Sequence, residues 1–427
     1  MIEKKRILVF PCGSEIALEL HRALIHSIHF DLIGANSVED HGLYVYERYI
    51  GDVPYVTDDN FISSIQSIVK QYQIDAIYPA MDSAITILKA NESVLGCRVI
   101  SSPSDTTEIC SSKEKTYNLL KTVIRTPLTF DQSKIKSFPI FVKPKIGYGS
   151  RGCACVRSFE ELSVYNDTQE DFLFCEYLPG PEYTVDCFTN RHGKLLFSSP
   201  RIRKRISNGI SVATQATTQD VYDEVLPLVQ KINETINFRG AWFAQFKRSS
   251  DGKLCLLEIA SRFGGSSALF RGVGVNFAQL TLFDAFDMDV KIIQNQYQIE
   301  MDRALDNKYK IKLSYDEVFV DFDDCLIIDK KKVNTILLSF LYQCLNNGVK
   351  ISLLSRHDGD LIKSMKRFRI YSLFDRIIHV TSLEKKSKYI DNKNAIFIDD
   401  SFAERKDVFE NTNIPVFSVD MIECLMQ

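Results

Sequence analysis

The sequence predicts an α/β protein of more than one domain, and three observations carry that expectation. Residues 6–102 alternate short apolar β runs with helical patterns, residues 138–156 read as strand, glycine-rich loop and strand, and after residue 313 a second alternation begins whose strands end in acidic residues. Strands alternating with helices form parallel, doubly wound sheets. A chain of 427 residues also exceeds what one ordinary core accommodates.

In the N-terminal part, β runs at Ile7–Phe10, Leu32–Ala35, Ala76–Pro79 and Arg98–Ser101 are interleaved with helical patterns at Ile16–His26, Phe61–Tyr72 and Ala84–Ala90. The first βα turn, PCGSE, has a single glycine, Gly13, where a dinucleotide fingerprint needs three, which excludes a nicotinamide or flavin site there. Asp82 follows the third strand, where α/β sheets place their ligand loops. Glu15 and Asp82 read either as substrate contacts or as helix caps and solvated charges.

A helix is expected over Ser111–Val123, and its Lys113 reads by default as a solvated surface charge. The apolar run Pro139–Val142 then delivers Lys143-Pro144 to a loop holding Gly147, Gly149, Ser150, Arg151 and Gly152, before β character resumes at Cys153–Val156. Glycines let backbone N–H groups approach phosphate oxygens, and a rigid strand fixes the position of the lysine charge. Phe172–Phe188 holds two β runs joined by Leu178-Pro179-Gly180-Pro181. That turn is expected to leave amides at Glu176, Tyr177 and Leu178 partly unpaired, able to hydrogen-bond an adenine edge, with Glu182 placed for ribose hydroxyls. Its plain alternative is a β connection with no ligand.

Arg201, Arg203 and Arg205 alternate, so on a strand they share a face, where like charges repel unless an anion lies there. We expect an anionic substrate or a phosphate at this face. In AWFAQFKRSSDGKLCLLEIASRFGG, two β runs flank Asp251-Gly252, the dipeptide of two-residue hairpins. That register places Gln245 opposite Glu258, with Ala260 and Arg262 following on the same face. An amide oxygen, a carboxylate and a guanidinium together suit an oxygen-liganded cation beside a phosphate.

Composition bounds the reading further. Apolar residues make up 45% and charged residues 25%, which is the balance of a soluble globular protein, and a net charge of −3 gives no reason to expect nucleic acid or an anionic membrane as partner. The eleven cysteines form no C-x-x-C pair and read as reduced thiols of a cytoplasmic protein. No apolar run approaches membrane-spanning length, and the charged start is not that of a signal peptide.

The ordered set Lys113, Lys143 with its glycine loop, the Glu176 hinge with Glu182, Gln245, and Glu258 with Arg262 resembles the ATP-grasp superfamily over roughly residues 1–300. Within it the set is most similar to the carbamoyl-phosphate-synthase-like branch of carboxylate–amine ligases. The resemblance implies a Rossmann-like pre-ATP-grasp domain (1–102) and an ATP-grasp α+β domain (103–300). It implies ATP and Mg²⁺ as cofactors, with Lys113, Lys143 and the loop residues Gly147, Gly149 and Ser150 on the phosphates. Glu176, Tyr177 and Leu178 would line adenine, Glu182 would hold the ribose, Gln245 and Glu258 would ligate Mg²⁺, and Arg262 would steady the transferred phosphoryl group. Arg201 and Arg203 are the expected substrate contacts. The partners implied are a small-molecule carboxylate and an amine, or a phosphorylated substrate, and a homodimer is a common arrangement in this branch. The family often has Asn where this chain has Ala260, which leaves the number of Mg²⁺ ions open. It also leaves open a small-molecule kinase, and a sensor that binds ATP without turnover is a further alternative.

Beyond a linker expected at 301–313, the strand Val318–Val320 ends in Asp321-Phe322-Asp323, Ile351–Leu354 ends in Ser355, Lys385 and Lys386 begin a basic helix, and Ala395–Ile398 ends in Asp399-Asp400. Two carboxylates two residues apart at a strand end allow one to attack phosphorus while the other handles the proton. The arrangement resembles haloacid dehalogenase-like phosphatases over residues 314–427, a Rossmannoid domain here without a large cap. It implies Asp321 as nucleophile, Asp323 as general acid/base, Ser355 and Lys386 (or Lys385) on the phosphoryl group, and a Mg²⁺ site completed by Asp399 and Asp400 beside Asp321 and Asp323. The resulting expectation is a bifunctional ligase and phosphomonoesterase.

Overall fold

A computed structural model describes residues 3–147, 151–166, 171–207, 210–304, 307–380 and 383–426. The chain forms two compact units. One comprises Met1–Ala268, Asn276–Lys291 and Asp302–Leu305, and the other Leu269–Val275, Ile292–Met301 and Asp306–Gln427.

The first unit opens with a parallel sheet of β1 (Lys5–Phe10), β2 (Phe30–Ala35), β3 (Tyr49–Ile50), β4 (Ala76–Pro79) and β5 (Arg98–Val99), in the order β3-β2-β1-β4-β5. Helices on both faces demand apolar side chains on both faces, and Ile7, Leu8 and Val9 are fully buried in succession. The helix Phe61–Tyr72 buries Phe61, Ile65, Ile68 and Val69, the spacing of one helical stripe. The strand order reverses between β1 and β4, so the loops after them open a crevice at the strand ends. Ser14 caps the helix Glu15–Leu24 that follows β1, and Asp82 is the first residue of the helix Asp82–Ala90 that follows β4.

A four-stranded sheet follows, with β6 (Thr129–Phe130), β7 (Ile140–Pro144), β8 (Ala154–Val156) and β9 (Phe172–Glu176) in the order β6-β9-β7-β8, all antiparallel. A third sheet carries β10 (Glu182–Thr189), β11 (Leu195–Ser207), β12 (Ile210–Ala216), β13 (Gly240–Arg248) and β14 (Leu254–Ala260), paired antiparallel in the order β14-β13-β10-β11-β12. Its apolar face packs on the helix Gln219–Thr235 through Val221, Val225, Val229 and Ile232. At its centre Trp242 stacks on Phe238, with ring centroids 4.0 Å apart, and donates its indole N–H to Thr189 Oγ1 at 2.9 Å.

Two expectations are corrected here. The helix expected over Ser111–Val123 is the shorter Lys113–Leu120, and the stretch before it, expected as a loop, is a second helix, Ser104–Ser111. Ser112 divides them because its hydroxyl accepts the Lys115 N–H at 3.3 Å, the bond of an N-cap. The stretch read as a linker contains β15 (Ile299–Arg303) and β16 (Asn307–Ile311).

The second unit holds β17 (Glu317–Val320), β20 (Lys350–Ser355), β21 (Arg376–His379), β22 (Ala395–Ile398) and β23 (Val416–Phe417), all parallel, in the order β21-β20-β17-β22-β23. Only a small hairpin, β18 (Ile327–Ile328) with β19 (Lys332–Val333), intervenes between β17 and the helix Thr335–Asn346. The strand order reverses between β17 and β22, and Asp321, Ser355 and Asp399 stand at the strand ends around that point.

Candidate active sites

Two cavities in the first unit share a wall. The first is lined by Lys113, Lys143, Gly147, Glu176, Tyr177, Leu178, Glu182, Gln245 and Glu258, which gathers the expected nucleotide and metal residues that the structure describes. Gly149 and Ser150 lie outside the described residues. Gln245 and Glu258 also line the second cavity, together with Arg201, Arg203 and Arg262.

Lys143 is 4% exposed at the end of β7. Its ammonium donates to the Tyr117 hydroxyl and lies 3.3 Å from Leu257 O, and among the described residues it makes no ion pair. Burial pushes its pKa below the usual lysine value. A buried cation held only by neutral oxygens is costly unless an anion reaches it. Lys113 is not the solvated charge that its type suggests, because its side chain is 11% exposed. It donates to Gly147 O at 2.8 Å and stands 3.9 Å from Glu258 Oε2.

The Gln245–Glu258 pair forms as expected, but by a different route. The hairpin has a three-residue loop, in which the Gly252 N–H donates to Ser249 O and Gly252 takes a left-handed φ of 79°. Asp251 favours this turn by accepting from Ser249 Oγ, Lys253 N and Arg125. The longer loop shifts the register by one residue, and a bulge at Leu257 shifts it back before Glu258. The bulged carbonyl accepts from Tyr117 Oη at 2.5 Å as well as facing Lys143.

At the hinge, the Glu176 amide is paired, donating to Leu128 O at 2.9 Å, contrary to expectation. Its carboxylate is held by Arg125 at 3.3 Å and by Leu128 N at 3.2 Å. Glu182 forms an ion pair with Arg203. The three arginines of β11 do not share one face, because the register is irregular from Arg203 to Ile206. Arg201 is buried with Nε 2.5 Å from Asp186 Oδ2, whereas Arg205 is exposed and pairs with Asp302 at 2.6 Å. Protein carboxylates thus face all three. Arg262 is forked by Asp82, with both bonds at 2.7 Å, and Arg303 lies 3.4 Å from Glu15. Asp82 and Glu15 therefore face the cavity instead of only capping helices.

In the second unit Lys386 Nζ lies 2.6 Å from both Asp321 Oδ1 and Asp399 Oδ2, with all three residues buried. Lys385 is exposed and pairs with Asp407, so Lys386 is the lysine that enters the site. Carboxylate oxygens of Asp321, Asp399 and Asp400 lie within 4.8 Å of one another. Burial raises the pKa of each, to about 7 for Asp400, where Asp399 and Asp324 add to the effect, while Lys386 opposes the rise at Asp321 and Asp399. Ser355 is wholly buried at the end of β20, and its hydroxyl has no hydrogen-bond partner among the described residues. The Asp323 carboxylate stands outside this trio, a departure from the expected four-aspartate metal set. His357 Nδ1 holds it at 2.7 Å while His357 Nε2 contacts Ser364 Oγ at 2.9 Å, and Asp323 Oδ1 is buried without a partner among the described residues.

Sequence reasoning passed over Tyr117, Arg303, His357 and Lys247, the last of which also lines the first cavity. Tyr117 is one helical turn from Lys113, and Lys247 is two residues along β13 from Gln245, so spacing alone places them on the same faces. His357 follows the strand-end Ser355 by two residues. Arg303 carried no signal.

Residues 168–306 match a family described as "ATP-grasp in the biosynthetic pathway with Ter operon". The large chain of carbamoyl phosphate synthase from Thermoplasma acidophilum is 23% identical over 307 residues, covering 59% of this chain and 29% of that protein, so this chain spans less than a third of that curated relative. Among solved structures, the biotin carboxylase domain of Hydrogenobacter thermophilus 2-oxoglutarate carboxylase, in complex with MgADP, ADP and bicarbonate, has a TM-score of 0.60 at 15% identity, over 70% of this chain and 74% of that one. An L-amino acid ligase from Bacillus licheniformis has a TM-score of 0.56 at 17% identity, over 71% and 80% of the two chains. These likenesses support an ATP-grasp fold for the part of the chain they cover. Among the described residues, no helix is long and apolar enough to cross a membrane.

Proposed function

We propose that the first unit is an ATP-dependent ligase that activates a carboxylate as an acyl phosphate and passes the acyl group to an amine or related nucleophile. The observation that carries this reading is the buried ammonium of Lys143, which makes no ion pair among the described residues, in a cavity whose shared wall, Gln245 and Glu258, opens onto the arginine-lined cavity. Lys143 and Lys113 bind the β- and γ-phosphates, Tyr177 and Leu178 line the adenine, and Glu182 reaches the ribose on leaving Arg203. Gln245 and Glu258, an amide oxygen beside a carboxylate, fit Mg²⁺, which when bound offsets charge on the phosphates. A substrate carboxylate oxygen attacks the γ-phosphorus, the bond to the β,γ-bridging oxygen breaks, and ADP leaves. The nucleophile then adds to the acyl carbon, loses its proton, and expels phosphate. Arg262 exchanges Asp82 for the oxygens of the transferred group, on which charge is greatest midway through transfer.

The second unit, in the same reading, is a phosphomonoesterase resembling the haloacid dehalogenase-like enzymes. Asp321 attacks phosphorus to form an aspartyl phosphate, and Asp323, positioned by His357, protonates the departing alkoxide. Water then attacks the aspartyl phosphate, giving its proton to Asp323, and phosphate leaves. Lys386 and Ser355 bind the phosphoryl oxygens. Asp321, Asp399 and Asp400, three carboxylates within reach of one ion, fit Mg²⁺. The test uses Asp321→Asn protein, ATP, Mg²⁺ and a metabolite pool, read by mass spectrometry. A product equal to two metabolites joined with loss of water, formed with ADP, is the expected result. A metabolite heavier by one phosphoryl group, erased by wild-type protein, would replace the ligase with a kinase and its phosphatase.

A further inference from the structure

We infer that the carboxylate substrate of the first unit carries a second anionic group, carboxylate or phosphate, bound by Arg201 and Arg303 against Gly264-Gly265. The inference rests on the ligase reading, since it names the class of acid that reading requires. The cavity beyond Gln245 and Glu258 has a volume of about 910 Å³, room for a ligand far larger than a bare carboxylate. Of its cationic groups, Arg262 is already forked by Asp82 and stands next to the expected site of phosphoryl transfer. Arg201 differs from it in having a donor with no partner among the described residues, and Arg303 in being held only by long contacts there, from Nη1 to Ser266 Oγ at 3.5 Å and to Glu15 at 3.4 Å.

Arg201 is 3% exposed, Asp186 engages its Nε, and its Nη1 is buried with no hydrogen-bond partner among the described residues. An unpaired buried N–H of a charged group is an expensive arrangement that an incoming anion relieves. Arg303 is 9% exposed, yet its partner Glu15, at 3.4 Å, has a side chain 49% exposed and is free to swing into water. Both guanidinium groups lie against glycine. A Cβ on Gly265 would stand 2.9 Å from Arg303 Nη1, and one on Gly264 would stand 3.3 Å from Arg201 Nη2. The two glycines therefore let two cations approach one stretch of backbone, where a planar or tetrahedral oxyanion takes donors from both. This subsite stands two residues past Arg262, so it binds a group of the same molecule at a distance from the carboxylate being activated.

The test is calorimetric titration of the full chain, saturated with MgADP, with glutarate, 3-phosphonopropionate and butyrate. We expect glutarate or 3-phosphonopropionate to bind about tenfold more tightly than butyrate, the worth of one charge-assisted pair, and the stronger of the two identifies the second group as carboxylate or phosphate. Arg303→Gln and Gly265→Ala, which displaces Arg303, should each erase that preference, with MgADP binding as the control for folding. Equal binding of butyrate, or a dianion preference that survives both variants, overturns the inference, as does the absence of binding by all three acids. The ligase reading fails separately. Hydroxylamine traps an acyl phosphate as a hydroxamate, so a protein that binds a dianion but forms neither ADP nor hydroxamate from it with MgATP retains the subsite and loses the ligase.

Discussion

Lys143 and Lys386 are both buried lysines at the edge of a proposed site, and their surroundings set opposite expectations. Among the described residues Lys143 has only the Tyr117 hydroxyl and Leu257 O, whereas Lys386 lies between Asp321 and Asp399 at 2.6 Å from each. Removing an unpaired buried charge relieves desolvation, while removing one partner of a buried cluster strands the others. Lys143→Met should therefore leave the free energy of unfolding unchanged or raise it by about 1 kcal/mol, while weakening MgATP binding by roughly tenfold or more. Lys386→Met should cost about 3–5 kcal/mol and be partly rescued by Asp399→Asn in the same chain. Urea denaturation of the variants, with nucleotide titration of the first, decides both. A destabilised Lys143→Met would mean that the lysine serves the fold and not an anion. Tyr117→Phe removes the hydroxyl between Lys143 and Leu257 O, and a several-fold rise in the KM for ATP with kcat little changed is expected if it positions the lysine for binding.

The β13–β14 hairpin shows what the sequence disclosed at the level of elements and what it hid. The pairing of Gln245 with Glu258 was legible because alternation fixes which residues share a face. It was reached through a turn that does not form, and the extra loop residue is cancelled by the bulge at Leu257. A bulge has no composition signal here; it forms because the Tyr117 hydroxyl and Lys143 take the carbonyl it frees. The same blindness hid the irregularity after Arg203, which removes Arg205 from the cavity, and a weakly periodic, charged stretch concealed the strand bearing Arg303. Helices and parallel strands were legible because burial of whole stripes and whole runs leaves a repeating trace. Hinges and bulges depend on partners far along the chain, as Glu176 does on Leu128 and Arg125. At Gly252 the φ of 79° is reserved for glycine by conformation alone, since an added Cβ would meet nothing within 4 Å. Gly252→Ala should cost about 1 kcal/mol, read by urea denaturation, and leave MgATP affinity unchanged. A loss of affinity would show that the turn controls the register at Glu258.

At the scale of the whole molecule, three of the carboxylates whose pKa burial raises cluster in the second unit. In the first unit burial also raises that of Asp186 and lowers that of His21, so the second unit's share of the pH dependence is read by difference between wild type and Asp400→Asn. Burial raises the pKa of Asp321, Asp399 and Asp400, that of Asp400 from 3.8 to about 7. An acid whose pKa is higher in the folded state keeps a proton that the unfolded chain has already released. Between about pH 4 and pH 7 the folded form thus holds more protons, and each such group lowers stability as the pH rises, by at most about 1.4 kcal/mol per pH unit. Below the window the contribution is fully present, and above it the contribution is gone. A cation placed among the three carboxylates offsets their repulsion, so it should matter most where they are ionised. We therefore expect thermal unfolding of the full chain without divalent ions to move to lower temperature from pH 5 to pH 8. Millimolar Mg²⁺ should reverse the fall at pH 8 and change little at pH 5. MgADP acts through the first unit by mass action, adding about 2.7 kcal/mol at a hundredfold excess over its Kd, and it should do so in Asp400→Asn protein as in wild type. That variant carries one fewer titrating acid, so its midpoint should depend less on pH and respond less to Mg²⁺ alone. If Asp400→Asn kept the full pH slope and the full response to Mg²⁺, the carboxylates at the ends of β17 and β22 would be neither the source of the pH dependence nor the place where the ion binds.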